Sequence, residues 1–300
     1  MAASITPKRL LIILNPVSGS SDAEYARHVF QEVFGQARVA YTIQETTEHD
    51  LPDAIIRQAQ HDAYTTVVAA GGDGTISAVA DALMHHPMQL GIIPLGTGNA
   101  VARELGIPRQ CEAACRIVLQ SQRTRRLDAM RIGNRLYLSH ISLGIYAHII
   151  AKTIRRAKRR FGRFAYLWPI LQELRDLKTW PFKVTVDGKS HDVQASLLLM
   201  ANVGAAGLGR LRWGPHVCPD DGTIDVCMVR LPTLSDYASF LWHLWLGHPQ
   251  QARQMTYLQA KKSVMVETPA ALPVRADGEI IGHSTVHFQV QPQAVEVIVP

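Results

Sequence analysis

The sequence predicts a doubly wound α/β domain followed by a mostly β domain with inserted helices. Three observations support this fold class. Short apolar runs alternate with helical patterns up to about Leu127. Two glycine-rich turns, at residues 71–75 and 96–99, each follow an apolar run and open a helical pattern, which places them side by side at the carboxyl edge of one parallel sheet. Beyond Leu127 the chain changes to period-two segments joined by hairpin turns.

In the first domain, short apolar runs predict buried strands and apolar residues at steps of three and four predict helices. The predicted strands are Arg9–Leu14, residues 38–44 and residues 90–95. The predicted helices are residues 22–34, a segment that starts at the capping signal of Asp50 and Pro52 and ends near Asp62, and residues 109–121.

In the second domain, Gly133-Asn134 and Asp187-Gly188 predict the hairpins 130–137 and 182–193. Further strands are predicted at residues 196–203, 222–230, 262–268 and 274–290. Two helices interrupt this β pattern, at about residues 148–178 and at residues 233–247. The second of these is rich in aromatic residues and is expected to pack in the core.

The amino-acid composition limits the kinds of protein that this chain can be. With 47% apolar and 19% charged residues, the 300-residue chain is typical of a globular protein with a sizeable core. Four cysteines form no CxxC pair and no signal-like or membrane-spanning apolar run occurs, so a reducing, cytoplasmic location is expected. The net charge of +6 favours an anionic partner, either a nucleic acid or an acidic membrane surface. No RNA-binding or helix-turn-helix pattern accompanies the charge, so a nucleic acid is not expected.

The glycine-rich turn at 71–75, GGDGT, predicts a phosphate-binding site. Three glycines let the backbone approach a ligand, and the helix predicted to start at Thr75 offers free N–H groups to an anion. The second turn adds Thr97 and Asn99 as side-chain donors for a polyphosphate or a ribose. Such turns also occur as plain strand-to-helix connections, but an aspartate among three glycines, with a second turn nearby, favours a ligand site.

Two common nucleotide motifs are absent. The chain has no Gly-x4-Gly-Lys-Ser/Thr segment, and Gly72-x-Gly74-x-x-Ser77 lacks the third small position of the dinucleotide fingerprint. GGDGT at 71–75 followed by PLGTGN at 94–99 instead resembles the diacylglycerol and sphingosine kinase superfamily, whose members phosphorylate a membrane lipid hydroxyl from ATP. The resemblance covers nearly the whole chain.

This resemblance implies an N-terminal nucleotide-binding α/β domain and a C-terminal β-sandwich-like domain. The first would span residues 1–127 and be joined by residues 291–300, with 295–299 as a returning strand; the second would span 128–290. ATP and Mg²⁺ are the implied cofactors. The implied nucleotide-contacting residues are Asn15, Pro16, Val17, Ser18, Gly19, Thr47, Gly71, Gly72, Asp73, Gly74, Thr75, Ile76, Ser77, Thr97 and Asn99.

Two carboxylate motifs lie in the second domain. Residues 216–226 place three aspartates around a turn, which is an ordinary hairpin signal but also a source of oxygen ligands for a hard cation. The resemblance implies a magnesium site formed by Asp221 and the backbone carbonyls of Cys218 and Thr223. It also implies that the Asp-Gly-Glu element at 277–279 meets the nucleotide loop.

A lipid hydroxyl loses its proton as it attacks the γ-phosphoryl group, so a carboxylate is needed at the site. Glu279 is the candidate general base. Asp277 and Asp73 are candidate supporting carboxylates, which could also hold the catalytic Mg²⁺.

The chain departs from the family pattern at Ser77, Ala78 and Ala100, so the acceptor lipid is left open among diacylglycerol, sphingoid bases and related lipids. The alternatives are a small-molecule kinase similar to NAD kinases or 6-phosphofructokinases, and a catalytically silent nucleotide- or lipid-binding regulator. A homodimer is also left open.

The helix at about 150–175 has an apolar stripe and a basic side with Lys152, Arg155, Arg156, Arg159, Arg160 and Arg163. It predicts reversible attachment to an anionic bilayer, where the lipid substrate would be met. The alternative is a stripe that packs on the sandwich with a solvated basic side.

Overall fold

The computed structural model describes residues 8–17, 23–46, 53–145, 178–206, 212–214, 216–246 and 248–300. The predicted basic helix at about 150–175 and the candidate nucleotide contacts Ser18, Gly19 and Thr47 lie outside these residues. The chain divides into two compact units, one formed by Met1–Leu127 with Gln293–Pro300 and the other by Asp128–Pro292.

The first unit is built on a parallel sheet. Its strands are β1 (Arg9–Leu14), β2 (Ala40–Glu45), β3 (Thr66–Gly71) and β4 (Gln89–Pro94), arranged in the order β2-β1-β3-β4. All six residues of β3 are buried, as are all but the first residue of β1 and of β4. Such continuous apolar runs are typical of parallel strands covered on both faces, which is why the sequence predicted β1 accurately.

The helices of the first unit are α1 (Ala23–Phe30), α2 (Asp53–His61), α3 (Asp73–Leu83), α4 (Ala100–Glu104) and α5 (Cys111–Gln120). The helix predicted at 22–34 is present, but its last turn is a π-helical segment, Gln31–Gly35. Cys111 and Cys115, which lie four residues apart on α5, are both buried.

The chain returns to the first unit through its last strand. Strand β16 (Val286–Ile298) is continuous, and Val297 pairs in parallel with Leu90 of β4. The predicted returning strand at 295–299 is therefore the end of a longer strand, whereas the predicted strand 274–290 is wrong as a single element. It contains β14 (Pro273–Ala276), β15 (Glu279–His283) and the start of β16.

The second unit contains two sheets. Strand β5 (Thr124–Ile132) begins in the first unit and ends in the second. The remaining strands of the second unit are β6 (Arg135–Tyr137), β7 (His140–Gly144), β8 (Trp180–Val186), β9 (Lys189–Ala195), β10 (Leu197–Ala201), β11 (Ile224–Val229), β12 (Met255–Ala260) and β13 (Ser263–Glu267). One sheet has the order β12-β11-β10-β7-β14-β15, and in the other β16, β13, β8 and β9 are neighbours. Side chains of both sheets, among them Leu198, Met200, Val264 and Phe288, form one buried core. The predicted α/β and β-sandwich-like architecture is confirmed.

The second unit also contains helix α6 (Leu234–Trp245). Tyr237, Phe240 and Leu244 are buried, so this side packs in the core as predicted. The expectation is wrong for the other side of the helix, where Trp242 and Trp245 are exposed. A short 3₁₀ turn, Pro249–Gln251, follows. Within the described parts of the chain, no helix is long and apolar enough to span a membrane.

Candidate functional site

The first glycine-rich turn connects β3 to α3. Helix α3 begins at Asp73 rather than at Thr75, so the predicted start is wrong by two residues. Gly72, with φ −91° and ψ −175°, is the extended residue that directly precedes the helix, so the helical conformation begins at Asp73. Asp73 then occupies the first turn of the helix, where a carboxylate is favoured by the positive end of the helix dipole.

The two predicted turns pack against each other through their backbones. A Cβ on Gly96 would lie 2.6 Å from Cα of Gly72 and 2.7 Å from Oδ1 of Asn99, closer than real Cβ atoms approach other atoms. The Leu95 N–H also donates to the Gly71 carbonyl at 2.9 Å. Glycine at position 96 is therefore required by this close approach, and the prediction that the turns lie side by side is confirmed.

Asp73 joins the second turn through its side chain. Its Oδ1 accepts a hydrogen bond from the Val101 N–H at 3.1 Å. A Cβ added to Gly98 would lie 3.2 Å from Oδ2 of Asp73, so no side chain at position 98 separates this carboxylate from the turn. Asp73 thus holds the start of α4 against the start of α3.

The predicted nucleotide contact Asn15 lies at the same edge of the sheet. Nδ2 of Asn15 donates to Oγ1 of Thr75 at 3.1 Å, and Oδ1 of Asn15 accepts from the Val17 N–H at 3.1 Å. The Asn15 N–H donates to the Ala70 carbonyl at 3.0 Å. Asn15 is therefore fixed between the ends of β1 and β3, with Pro16 half-buried and Val17 exposed beside it.

Asn99 carries an unsatisfied polar atom. It has a left-handed backbone, with φ 51° and ψ 49°, and its Nδ2 donates to the Gly96 carbonyl at 2.7 Å. Its Oδ1 is buried and has no hydrogen-bond partner among the described residues. Burying such an oxygen is costly, so a donor from a ligand, such as a ribose hydroxyl, would fit here. Thr97 is exposed in the same turn, whereas the side chains of Ile76 and Ser77 are buried and the Ile76 N–H donates to the Gly72 carbonyl at 3.0 Å.

The tight contact at Gly96 gives a prediction with a matched control. Gly96→Ala is expected to lower the free energy of unfolding by about 1–3 kcal/mol and to weaken nucleotide binding, because the new methyl group forces the two turns apart. Gly72→Ala should be near neutral for stability, since a Cβ there would lie an ordinary 3.6 Å from Gly96 Cα. Urea unfolding of both variants measures the difference. Equal stabilities would contradict the close approach.

In the second unit, Asp277 is enclosed by hydrogen bonds. Its Oδ1 accepts from the N–H groups of Ser139 and His140, at 2.9 and 3.1 Å, and from the Ser139 hydroxyl at 2.5 Å. Its Oδ2 accepts from the Leu138 N–H at 2.9 Å. Asp277 and Gly278 have φ values of 46° and 93°, which form the tight turn between β14 and β15. Strands β14 and β15 thus form a hairpin, and the carboxylate anchors it to the β6–β7 connection.

Glu279 follows this turn as the first residue of β15 and is half-buried. Tyr137 lies near it. Burial raises the pKa of the Tyr137 hydroxyl, and the carboxylates of Asp277 and Glu279 add to the rise. The fixed turn therefore sets the position of Glu279, and Tyr137 is a neighbour that sequence reasoning missed, because nothing in the hairpin pattern of residues 130–137 distinguishes it.

The acidic turn of the second unit is held by an aspartate that the sequence analysis did not single out. Oδ2 of Asp128, which is fully buried, accepts from the Gly222 N–H at 2.6 Å, and the Asp128 N–H donates to the Pro219 carbonyl at 2.6 Å. Oδ1 of Asp221 accepts from both the N–H and the hydroxyl of Thr223, at 2.9 and 2.8 Å. No local pattern distinguishes Asp128, because basic residues at 125, 126 and 131 flank it in the sequence.

The predicted magnesium ligands lie in this turn. Asp221 and Cys218 are exposed, and Thr223 is buried. A carboxylate with two carbonyl oxygens is a donor set that suits a hard cation. No group of three or more His, Cys, Asp or Glu side chains in the described ranges is arranged to hold a metal. The site with one carboxylate and two carbonyls stays a prediction.

The two carboxylate motifs are linked by Asn202. Its Nδ2 donates to the carbonyls of Asp128 and Leu138, at 2.7 and 2.9 Å, and its N–H donates to the Ser139 carbonyl at 3.0 Å. Leu138 and Ser139 in turn donate to Asp277. Within the second unit, the acidic turn and the Asp-Gly-Glu turn are thus parts of one buried hydrogen-bond network.

Asp225 is buried at the start of β11. Burial raises its pKa to about 6, and the charge of Asp221 adds to the rise. Nε2 of Gln259 donates to its Oδ1 at 3.2 Å.

Comparison with known proteins identifies both halves of the chain. Residues 9–132 match the family model of the diacylglycerol kinase catalytic domain. Residues 139–299 match that of the YegS C-terminal NAD kinase beta sandwich-like domain.

Two curated relatives match nearly the whole chain. The chain is 25% identical over 298 residues to a diacylglycerol kinase of Staphylococcus aureus strain bovine RF122, covering 98% of this chain and 93% of that protein. It is 26% identical over 305 residues to an uncharacterized protein, sll0036, of Synechocystis, covering 96% of this chain and 70% of that protein.

A crystal structure of a diacylglycerol kinase from Bacillus anthracis strain Sterne has the same fold, with a TM-score of 0.76, 22% identity and coverage of 98% of this chain and 97% of that one. The match to both family models, together with the glycine turns and carboxylate motifs described above, shows that this chain is a kinase and belongs to the family that joins a diacylglycerol kinase catalytic domain to a YegS C-terminal domain.

Proposed function

We propose that this kinase transfers the γ-phosphoryl group of ATP to the hydroxyl of a membrane lipid, with Mg²⁺. The main support is the pair of glycine turns in the first unit, where Gly72 and Gly96 pack backbone to backbone and Asn99 leaves a buried Oδ1 without a partner. A polyphosphate requires backbone N–H groups without obstructing side chains, and a ribose can donate to an amide oxygen.

The metal would neutralise charge on the transferred phosphoryl group. Asp73 lies at the start of α3 and is the carboxylate of the first unit best placed to help hold it. Asp277 was also predicted as a metal ligand, but its oxygens already accept four hydrogen bonds. We propose that Asp277 instead positions Glu279, which accepts the proton of the lipid hydroxyl.

Two observations bear on the choice of acceptor. The relative from Staphylococcus aureus is named a diacylglycerol kinase, which favours a lipid alcohol. The second family model is described as similar to the beta sandwich of NAD kinase, so NAD is the alternative acceptor to test. Ser77 and Ala100, at which the chain departs from the family pattern, are both buried beside the glycine turns.

A transfer assay tests the proposal. Purified protein with γ-labelled ATP and Mg²⁺ is offered diacylglycerol, a sphingoid base, monoacylglycerol, phosphatidylglycerol and NAD. Label is expected in a lipid product, and chelation of the metal should abolish transfer until Mg²⁺ is restored. Transfer to NAD alone would contradict the lipid acceptor, and no transfer to any acceptor would favour a silent regulator.

A further inference from the structure

Helix α6 presents an uncharged, apolar face to solvent. Trp242 and Trp245 are 58% and 69% exposed. We define the α6 face by the five large apolar side chains that are exposed on this helix and at its end: Leu234, Leu241, Trp242, Trp245 and Leu246. Their spacing places them on one side of a helix. A patch of this kind on a soluble protein marks an interaction surface.

The orientation of α6 is fixed from its other side. Tyr237, Phe240 and Leu244 are buried in a core cluster of the second unit. A capping box closes the first turn, in which the Asp236 N–H donates to Oγ1 of Thr233 at 3.2 Å and the Thr233 N–H donates to Oδ2 of Asp236 at 3.2 Å. The α6 face therefore stays outward as long as the unit is folded.

Charge is nearly absent from this helix. Asp236 is its single acidic residue, and Oδ1 of Asp236 also accepts from Nε2 of Gln254 at 3.0 Å. Two exposed side chains in the segments that flank the helix are basic, those of Arg230 and Arg253, and the Arg230 N–H donates to the Gln254 carbonyl at 2.8 Å. The apolar α6 face, with these two arginines nearby, complements a bilayer that contains anionic lipid.

We propose that the α6 face docks on a phospholipid bilayer, with the two indoles in the interfacial layer. This inference rests on the proposed lipid acceptor. The rings of Trp242 and Trp245 lie 5.3 Å apart and form one amphipathic block, the kind of side chain that is enriched at membrane interfaces. Together they expose on the order of 250 Å². A stable protein interface buries about 800 Å² on each partner, more than the five side chains of the α6 face expose, so this face suits insertion better than dimerisation.

Vesicle binding without ATP tests this surface. Wild-type protein, Trp242→Gln/Trp245→Gln and the control Tyr25→Gln are sedimented with neutral vesicles and with vesicles containing phosphatidylglycerol. Tyr25 is an aromatic residue on α1 that is 54% exposed. The double variant is expected to bind about tenfold more weakly, because it loses the burial of two indoles, while the control binds as wild type. The loss should persist at raised salt, since apolar burial is not screened.

Several outcomes would overturn the proposal. One is equal binding by the double variant and wild type, and another is wild-type binding that raised salt abolishes, since charged groups alone would then hold the vesicle. A wild-type dimer in sedimentation equilibrium that the double variant converts to a monomer would assign the α6 face to a protein contact. Matching urea unfolding of all three proteins confirms that the variants fold. Vesicle binding without phosphoryl transfer to lipid would contradict the proposed function alone.

Discussion

Asp277→Ala is expected to lower the free energy of unfolding of the second unit by about 3–5 kcal/mol. The substitution removes the acceptor for three backbone N–H groups and one hydroxyl, and these donors are in a part of the chain where water cannot easily replace the carboxylate. Leaving buried donors unpaired costs more than the hydrogen bonds contribute in net terms. Urea unfolding, followed by circular dichroism, measures the loss.

Two companion variants make this result specific. Asp277→Asn keeps Oδ1 as an acceptor but turns an amide donor toward the Leu138 N–H, so an intermediate loss is expected. Asp192→Ala removes an exposed carboxylate from β9 of the same unit and should change stability by less than about 0.5 kcal/mol. Wild-type stability of Asp277→Ala with lost turnover would instead assign Asp277 to the chemistry.

The glycine turns could be predicted because their requirements are local. An apolar run that ends in glycines identifies a buried strand and the turn after it, and parallel strands place successive turns at one edge. The start of α3 was missed by two residues because glycine is permitted both in an extended segment and in a helix. Only the structure shows that Gly96 meets Gly72.

The hydrogen-bond network of the second unit could not be predicted in this way. Asp128 and Asn202 are far apart in the chain, and no periodicity connects them with the Asp-Gly-Glu turn. Their roles follow from strand pairing, in which β10 lies next to β7. Strands β7 and β12 were not predicted from the sequence. They are short, and their apolar and polar residues do not alternate clearly.

Helix α6 shows a related limit. Its aromatic residues predicted core packing. The sequence of a helix does not show, however, which of its apolar residues face the sheet and which face solvent. Tyr237 and Trp242 differ in sequence position by little more than one turn, but the first is buried and the second is exposed. The sheet beneath the helix decides this difference.

Glu279→Gln is expected to lower kcat by a factor on the order of 10² to 10⁴, the range for loss of a general base. Glutamine has nearly the same shape but does not accept the proton of the lipid hydroxyl at neutral pH. The turn before it is fixed by Asp277, so the side chain should stay in place and the free energy of unfolding should change little. The KM for ATP should also change little, because the nucleotide turns belong to the first unit.

The roles of Glu279 and Asp277 can be separated by measuring rate and stability on the same variants. Glu279→Gln should lose rate and keep stability, whereas Asp277→Ala should lose both, since a displaced hairpin misplaces the base. Glu279→Asp is a useful third variant, because it keeps the proton acceptor but withdraws it by one methylene, and its rate should fall between wild type and Glu279→Gln. Wild-type turnover of Glu279→Gln on a lipid acceptor would show that another group takes the proton, and Asp73, the other candidate carboxylate, would be the next residue to replace.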